Sequence, residues 1–103
     1  MSGVEFIKIS AAKNMRSGVN VLAEVKTKGE KRNVNLKTGG NVDVCDAVIM
    51  DETGEMKLTL WAEDIDKVKS GDKIAITNGY INAFRGEPSI TKGKFGKMEI
   101  NPS

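Results

Sequence analysis

Hydrophobic and polar residues alternate with a period of two along much of this chain, and this spacing predicts β-strands. In VNVLAEVKT, the odd positions from 19 to 25 are apolar, and Leu22 is the exception on the polar face. The next residues, KGEKRNVNL, continue this strand past an irregularity near Gly29. A turn at KTGG leads to a second strand, NVDVCDAVIMD, in which the apolar run from Ala47 to Met50 predicts burial on both sides.

A third strand and a short helix follow. DETG forms a tight turn. In EMKLTLW the even positions from 56 to 60 are apolar, so Trp61 lies on the polar face together with Lys57 and Thr59. AEDIDKVKSGD is the helical candidate, at most about two turns long, with carboxylates at its start and Gly71 as its stop.

The fourth strand, DKIAITNGYINAFRGEP, contains a conflict between its two halves. Strict alternation from Ile74 would bury Asn78 and Asn82, at a cost of about 1–3 kcal/mol each if they stay unpaired. A bulge at Gly79 would exchange the two faces and remove this cost. After the exchange the core would hold Ile81 and Ala83, and the outer surface would display Tyr80, Asn82 and Phe84.

The order of elements predicts the fold class. A fifth strand lies near Pro88 to Lys92, and KFGKMEI extends or caps it. Three strands, a short helix and two more strands predict an all-β, five-stranded Greek-key barrel, the OB-fold, with the helix between strands 3 and 4. An SH3-like barrel without this helix and a two-layer α+β fold are the alternatives. We expect one domain over 1–103, with its core at about 17–95, an N-terminal extension at 1–16 and a C-terminal segment at 96–103.

The composition narrows the classes of function. The chain of 103 residues has no histidine and a single cysteine, Cys45, so an internal disulfide is excluded and a zinc site would need unusual ligands. We therefore expect no metal or cofactor, and a binding module instead of an enzyme. The longest apolar run, Ala47 to Met50, is far too short to cross a membrane, and the N-terminus lacks a signal sequence, so a cytoplasmic location is expected.

Charge is unevenly distributed along the chain. Residues 1–35 carry seven Lys/Arg and three Asp/Glu, residues 36–66 carry two and eight, and residues 67–103 carry seven and three. Folding can bring the two basic segments together into a patch that suits a polyanion. The alternative is that these charges only solvate the surface.

Four short motifs, in order, carry a resemblance to a known family. DETG leads to LTLW, then SGD follows, and an aromatic residue precedes AFRG. From Val19 to Lys94 the chain resembles the archaeal single-stranded DNA-binding proteins of the single OB-fold type, which are related to the OB domains of replication protein A. Two positions depart from the pattern: Val34 stands where relatives often have an aromatic residue, and Tyr80 where they often have Trp.

The resemblance implies that Trp61, Tyr80 and Phe84 stack on unpaired bases. Their predicted outward faces agree with this role. Asn82, between two of the aromatics, would hydrogen-bond a base. Residues beside the aromatic residues or near the loops would contact the backbone, namely Lys57, Thr59, Arg32, Arg85, Lys92 and Lys94. For Lys57 and Thr59 the alternative is a base edge, and for Arg85 it is stacking on a base.

These features predict a function and leave two rivals. The prediction is a monomeric protein that binds single-stranded DNA with little sequence preference and protects it in replication, recombination or repair, where it can meet other repair or replication proteins. One rival is the binding of single-stranded RNA on the same surface. The other is a protein-interaction domain whose exposed aromatics dock a peptide.

Overall fold

The structure is a computed structural model that describes residues 5–84, 86–92 and 96–101. Strands dominate the described part. In chain order the elements are α1 (Ile9–Ala12), β1 (Val19–Asn35), β2 (Asn41–Asp51), β3 (Gly54–Trp61), α2 (Asp64–Lys67), β4 (Lys73–Phe84), β5 (Glu87–Thr91) and β6 (Lys97–Ile100).

Five of these strands close into a barrel. Within the described residues the sheet runs β1-β2-β3-β5-β4-β6, and β4 also pairs with β1. The β3–β5 pair is parallel and the other pairs are antiparallel. This ring, with α2 between β3 and β4, confirms the predicted OB-fold and excludes the SH3-like and two-layer alternatives. β6, formed by the end of KFGKMEI, extends the sheet at β4 instead of β5.

The inward faces of β1 and β3 carry the apolar residues that the alternation predicts. Val19, Val21, Ala23 and Val25 are buried in β1, whereas Leu22 is exposed. Met56, Leu58 and Leu60 are buried in β3, and Ile65 and Val68 bring α2 into the same core. Period-two burial is a local property, because successive strand side chains point to opposite faces, and this is why it was predictable.

Three details of the prediction were wrong. Val48 and Met50 are only half-buried, because β2 has its core on one side alone, where Ala47 and Ile49 lie. Ala83 is exposed instead of buried. The helix α2 is a single turn that ends at Lys67, and Gly71 belongs to the next turn.

A helix that the alternation did not reveal packs on the barrel from the N-terminal side. Ile9 and Ala12 of α1 are fully buried in the core. The Asp51 carboxylate accepts hydrogen bonds from the amides of Ile9 (2.8 Å) and Thr53 (2.7 Å), and so ties α1 to the β2–β3 turn. Burial raises the pKa of Asp51, but the hydrogen bonds from Thr53 and Ile9 outweigh it, so the net pKa is below its ordinary value.

Candidate nucleic-acid interface

Trp61 lies at the end of β3 and points away from the core. It is 41% exposed, as its place on the polar face predicted. Its indole Nε1 donates a hydrogen bond to Thr91 Oγ1 on β5 (2.9 Å), and that hydroxyl donates to the carbonyl of Thr59 (3.3 Å). The ring is therefore held at one edge while much of its surface stays open to solvent.

A bulge in β4 turns Tyr80 outward. Val19 pairs with Gly79 and Val21 pairs with Ile76, so two steps along β1 match three along β4. The extra residue exchanges the faces of the strand. Tyr80 is 49% exposed, Asn82 is also exposed, and Ile81 is buried, which confirms the predicted exchange of faces for these three residues.

The residue with the unusual backbone in this bulge is Asn78. Its φ is 55°, in the left-handed region that Asn tolerates better than most residues. Its amide donates to Asn20 Oδ1 (2.9 Å), so the bulged backbone keeps a partner. Gly79 has another role: a Cβ there would lie 2.9 Å from Ile76 Cγ2 and 3.2 Å from Ile90 Cδ1. The sequence located the bulge correctly, but it assigned the unusual backbone conformation to Gly79 instead of Asn78.

Trp61 and Tyr80 share one outer face of the barrel. Tyr80 is the cross-strand partner of Thr91 in the β4–β5 pair, and directly opposed residues project to the same side of a sheet. Thr91 in turn accepts the hydrogen bond from Trp61 and pairs with Thr59 in the parallel β3–β5 ladder. The two aromatic rings thus flank Thr91. The sequence analysis missed Thr91, because no local pattern links it to a residue 30 positions away.

Three of the predicted cations on this surface, those that the structure describes, are paired with carboxylates. Three ion pairs are formed by predicted site residues: Arg32–Asp46 at 3.0 Å, Lys57–Glu87 at 3.4 Å and Lys92–Asp64 at 3.0 Å. Arg32 and Lys57 are exposed, whereas Lys92 is half-buried and Asp64 is buried. Local neutralisation reduces the positive potential that these cations present to a polyanion.

The remaining predicted residues are placed only in part. The backbone of Phe84 pairs with Glu87 at the end of β4. The side chain of Phe84, together with Arg85 and Lys94, lies outside the described residues. Among the residues that are described, no cluster of three His, Cys, Asp or Glu side chains has the arrangement of a metal site. In the same ranges, no helix is long and apolar enough to span a membrane.

Comparison with known proteins identifies the family to which this chain is similar. Residues 10–100 match the family model described as single-stranded DNA binding protein Ssb-like, OB fold. Over 91 residues the chain is 32% identical to the single-stranded DNA binding protein Ssb of Saccharolobus solfataricus, covering 88% of this chain and 61% of that protein. The chain therefore spans less than two thirds of the length of this relative.

Solved structures share the architecture. The second OB-fold domain of replication protein A from Methanococcus maripaludis is 26% identical, with a TM-score of 0.74 over 93% of this chain and 94% of that one. The OB domain of Ta0387 from Thermoplasma acidophilum superposes with a TM-score of 0.76 at 18% identity, over 93% of this chain and 86% of that one. At this identity the second match shows the fold alone.

Proposed function

The chain belongs to the Ssb-like family of single-stranded DNA-binding OB-fold proteins, and we propose that it binds single-stranded DNA with little sequence preference. The observation that carries the proposal is the common outer face of Trp61 and Tyr80, on either side of Thr91. Every base has a flat π-face, so stacking on aromatic rings tolerates any sequence and contributes about 1–3 kcal/mol per base.

Other residues complete the proposed surface. Phe84, on the strand that carries Tyr80, would add a third stacking ring, and Asn82 would hydrogen-bond a base edge. The DNA backbone would be met by residues around the rings, namely Arg32, Lys57, Thr59, Arg85, Lys92 and Lys94. Because Arg32, Lys57 and Lys92 are already paired with carboxylates, phosphates would have to compete for them. We therefore expect stacking to contribute more than these ion pairs.

The proposed role is the protection of exposed single strands in replication, recombination or repair, by a monomer in the cytoplasm. This role needs no catalytic group, metal or cofactor. It requires the strand to be unpaired, because bases within a duplex have their faces covered by their neighbours. Duplex DNA is therefore the discriminating ligand.

The experiment is a titration of Trp61 fluorescence with oligo-dT, oligo-U and duplex DNA at low salt. Trp61 is the single tryptophan of the chain, so the signal reports on the proposed platform directly. We expect quenching by oligo-dT and little change with duplex. Equal quenching by oligo-U would mean that the protein binds single-stranded nucleic acid in general, both DNA and RNA. Unchanged emission with every ligand would exclude stacking on Trp61.

Two variants and a salt series distinguish the binding of single-stranded DNA from the alternative function, the docking of a peptide on the aromatic residues. Tyr80→Ala and Phe84→Ala should each weaken oligo-dT binding by about 5- to 150-fold, the equivalent of about 1–3 kcal/mol. Strand binding should also weaken with rising salt. Binding of a peptide to the aromatic residues would instead change little with salt.

A further inference from the structure

A segment before β1, residues 13–16, lies beside Tyr80 and extends the outer surface past the predicted site. The amide of Ile81 donates a hydrogen bond to the carbonyl of Arg16 (2.8 Å), so this segment runs along β4 next to the outward-facing Tyr80. Between the two lies an open cleft of about 400 Å³. Its walls include Lys13, Met15 and Arg16 on one side and Tyr80, Ala83 and Pro88 on the other.

The cations of this cleft are not paired with carboxylates in the described ranges, unlike Arg32, Lys57 and Lys92 of the predicted site. Lys13 and Arg16 are exposed, and within the described ranges neither forms an ion pair with a carboxylate. Among the described residues that line this cleft there is no aspartate or glutamate. A phosphate that reaches Arg16 therefore displaces only mobile counterions, whereas at Arg32 or Lys57 it must also displace a carboxylate. Lys13 lies between this cleft and a neighbouring one that Glu55 and Glu87 line, but it forms no ion pair with either in the described ranges.

The cleft also offers an apolar surface to a base. Met15 is 37% exposed, and Tyr80, which lines the same cleft, is 49% exposed. A flexible, polarizable thioether beside an aromatic ring is an adaptable contact for a flat ring of any identity. Cationic and apolar groups thus occur together, as a nucleotide with an unpaired base requires.

From this combination we infer that residues 13–16 form a second nucleotide-binding site, continuous with Tyr80. Arg16 and Lys13 bind the phosphodiester backbone, and the adjoining base lies against Met15 and Tyr80. This inference rests on the proposed function, because the site is reached by a strand that already stacks on Tyr80. The N-terminal segment, and not only the barrel strands, then sets how many nucleotides one protein molecule covers.

The test compares two double variants that remove the same charge. In Lys13→Gln/Arg16→Gln the hydrogen bond from Ile81 is kept, because it uses the backbone carbonyl of Arg16. The control, Lys69→Gln/Lys73→Gln, removes two exposed cations that also lack an ion pair in the described ranges. Lys73 lies at the opposite end of β4 from Tyr80, about 23 Å along the strand at 3.3 Å per residue.

The readout is the slope of log Kd against log salt for oligo-dT of increasing length. Each single-strand phosphate contact contributes about 0.7 to this slope, so Lys13→Gln/Arg16→Gln should lower it by about 1.4 and the control by much less. We also expect the difference in slope between Lys13→Gln/Arg16→Gln and the native protein to grow with oligonucleotide length until the second site is filled. Poly-Glu at equal charge should compete poorly, because it offers no base to the apolar contact.

Three outcomes overturn the inference. The first is an unchanged slope in Lys13→Gln/Arg16→Gln while Tyr80→Ala still weakens binding, which leaves the proposed function intact. The second is an equal fall in the control, which would show a general charge effect. The third is strong competition by poly-Glu, which would indicate a site for acidic peptides. If Tyr80→Ala and Trp61→Ala also bind like the native protein, it is the proposed function that fails.

Discussion

Thr91 joins the two described aromatic side chains of the proposed interface. Its hydroxyl accepts the hydrogen bond from Trp61 Nε1, and its backbone pairs with that of Tyr80. An exposed indole held by one hydrogen bond keeps fewer orientations than a free one, so less conformational entropy is lost when a base stacks on it. Thr91 therefore positions Trp61 without itself offering a ring.

The first prediction concerns this hydrogen bond. Thr91→Val keeps the shape of the side chain but removes the acceptor, so oligo-dT affinity should fall by about twofold to tenfold, the equivalent of about 0.5–1.5 kcal/mol. Thr91→Ser is the matched control, because it keeps the hydroxyl. The measurements are anisotropy of a labelled oligonucleotide and time-resolved anisotropy of Trp61, which should show faster ring motion in Thr91→Val. Identical affinity for the two variants would contradict a positioning role.

At the scale of elements, the bulge in β4 lets one strand serve two purposes. Ile74 and Ile76 face the core before the bulge, and Tyr80 faces solvent after it. The two roles at the bulge belong to neighbouring residues, since Asn78 adopts the left-handed backbone and Gly79 allows Ile76 and Ile90 to pack closely. The sequence pattern located the exchange, because buried asparagines are costly, but it did not separate these roles.

The second prediction tests that division of roles. Gly79→Ala should lower the free energy of unfolding by about 1–3 kcal/mol, because its Cβ would overlap Ile76 and crowd Ile90 inside a packed core. Asn78→Gly is the control and should change stability by less than about 1 kcal/mol, because glycine accepts a positive φ readily. Urea unfolding measures both. Equal destabilisation by the two variants would mean that packing at Gly79 is not the constraint.

At the scale of the whole molecule, acidic and basic parts of the chain pair with each other on the proposed interface. The chain carries a formal net charge of +2. On the predicted binding face the acidic middle of the sequence supplies Asp46 and Asp64 as partners for cations from the two basic segments. The basic segments are thus partly neutralised by the acidic one, which the charge counts alone did not reveal.

The third prediction follows from this pairing. Asp46→Asn/Glu87→Gln frees Arg32 and Lys57 for phosphate, so the affinity for oligo-dT at low salt should rise and the salt slope should steepen by about 1.4. Stability should change by less than about 1 kcal/mol for each ion pair, because both pairs are exposed. The control, Glu5→Gln/Glu99→Gln, changes net charge equally with residues that form no ion pair in the described ranges. Equal gains in both variants would assign the effect to net charge.

The sequence by itself determined the class of fold, the inward faces of β1 and β3 and the outward positions of Trp61 and Tyr80. These follow from period-two burial and from the cost of burying Asn78 or Asn82, which are local properties of a strand. Only the tertiary structure decided the packing of α1, the anchoring of Trp61 by Thr91 and the ion pairs that occupy the cations. These are contacts between residues far apart in the chain, and they exist because barrel closure brings distant strands and the N-terminal helix together.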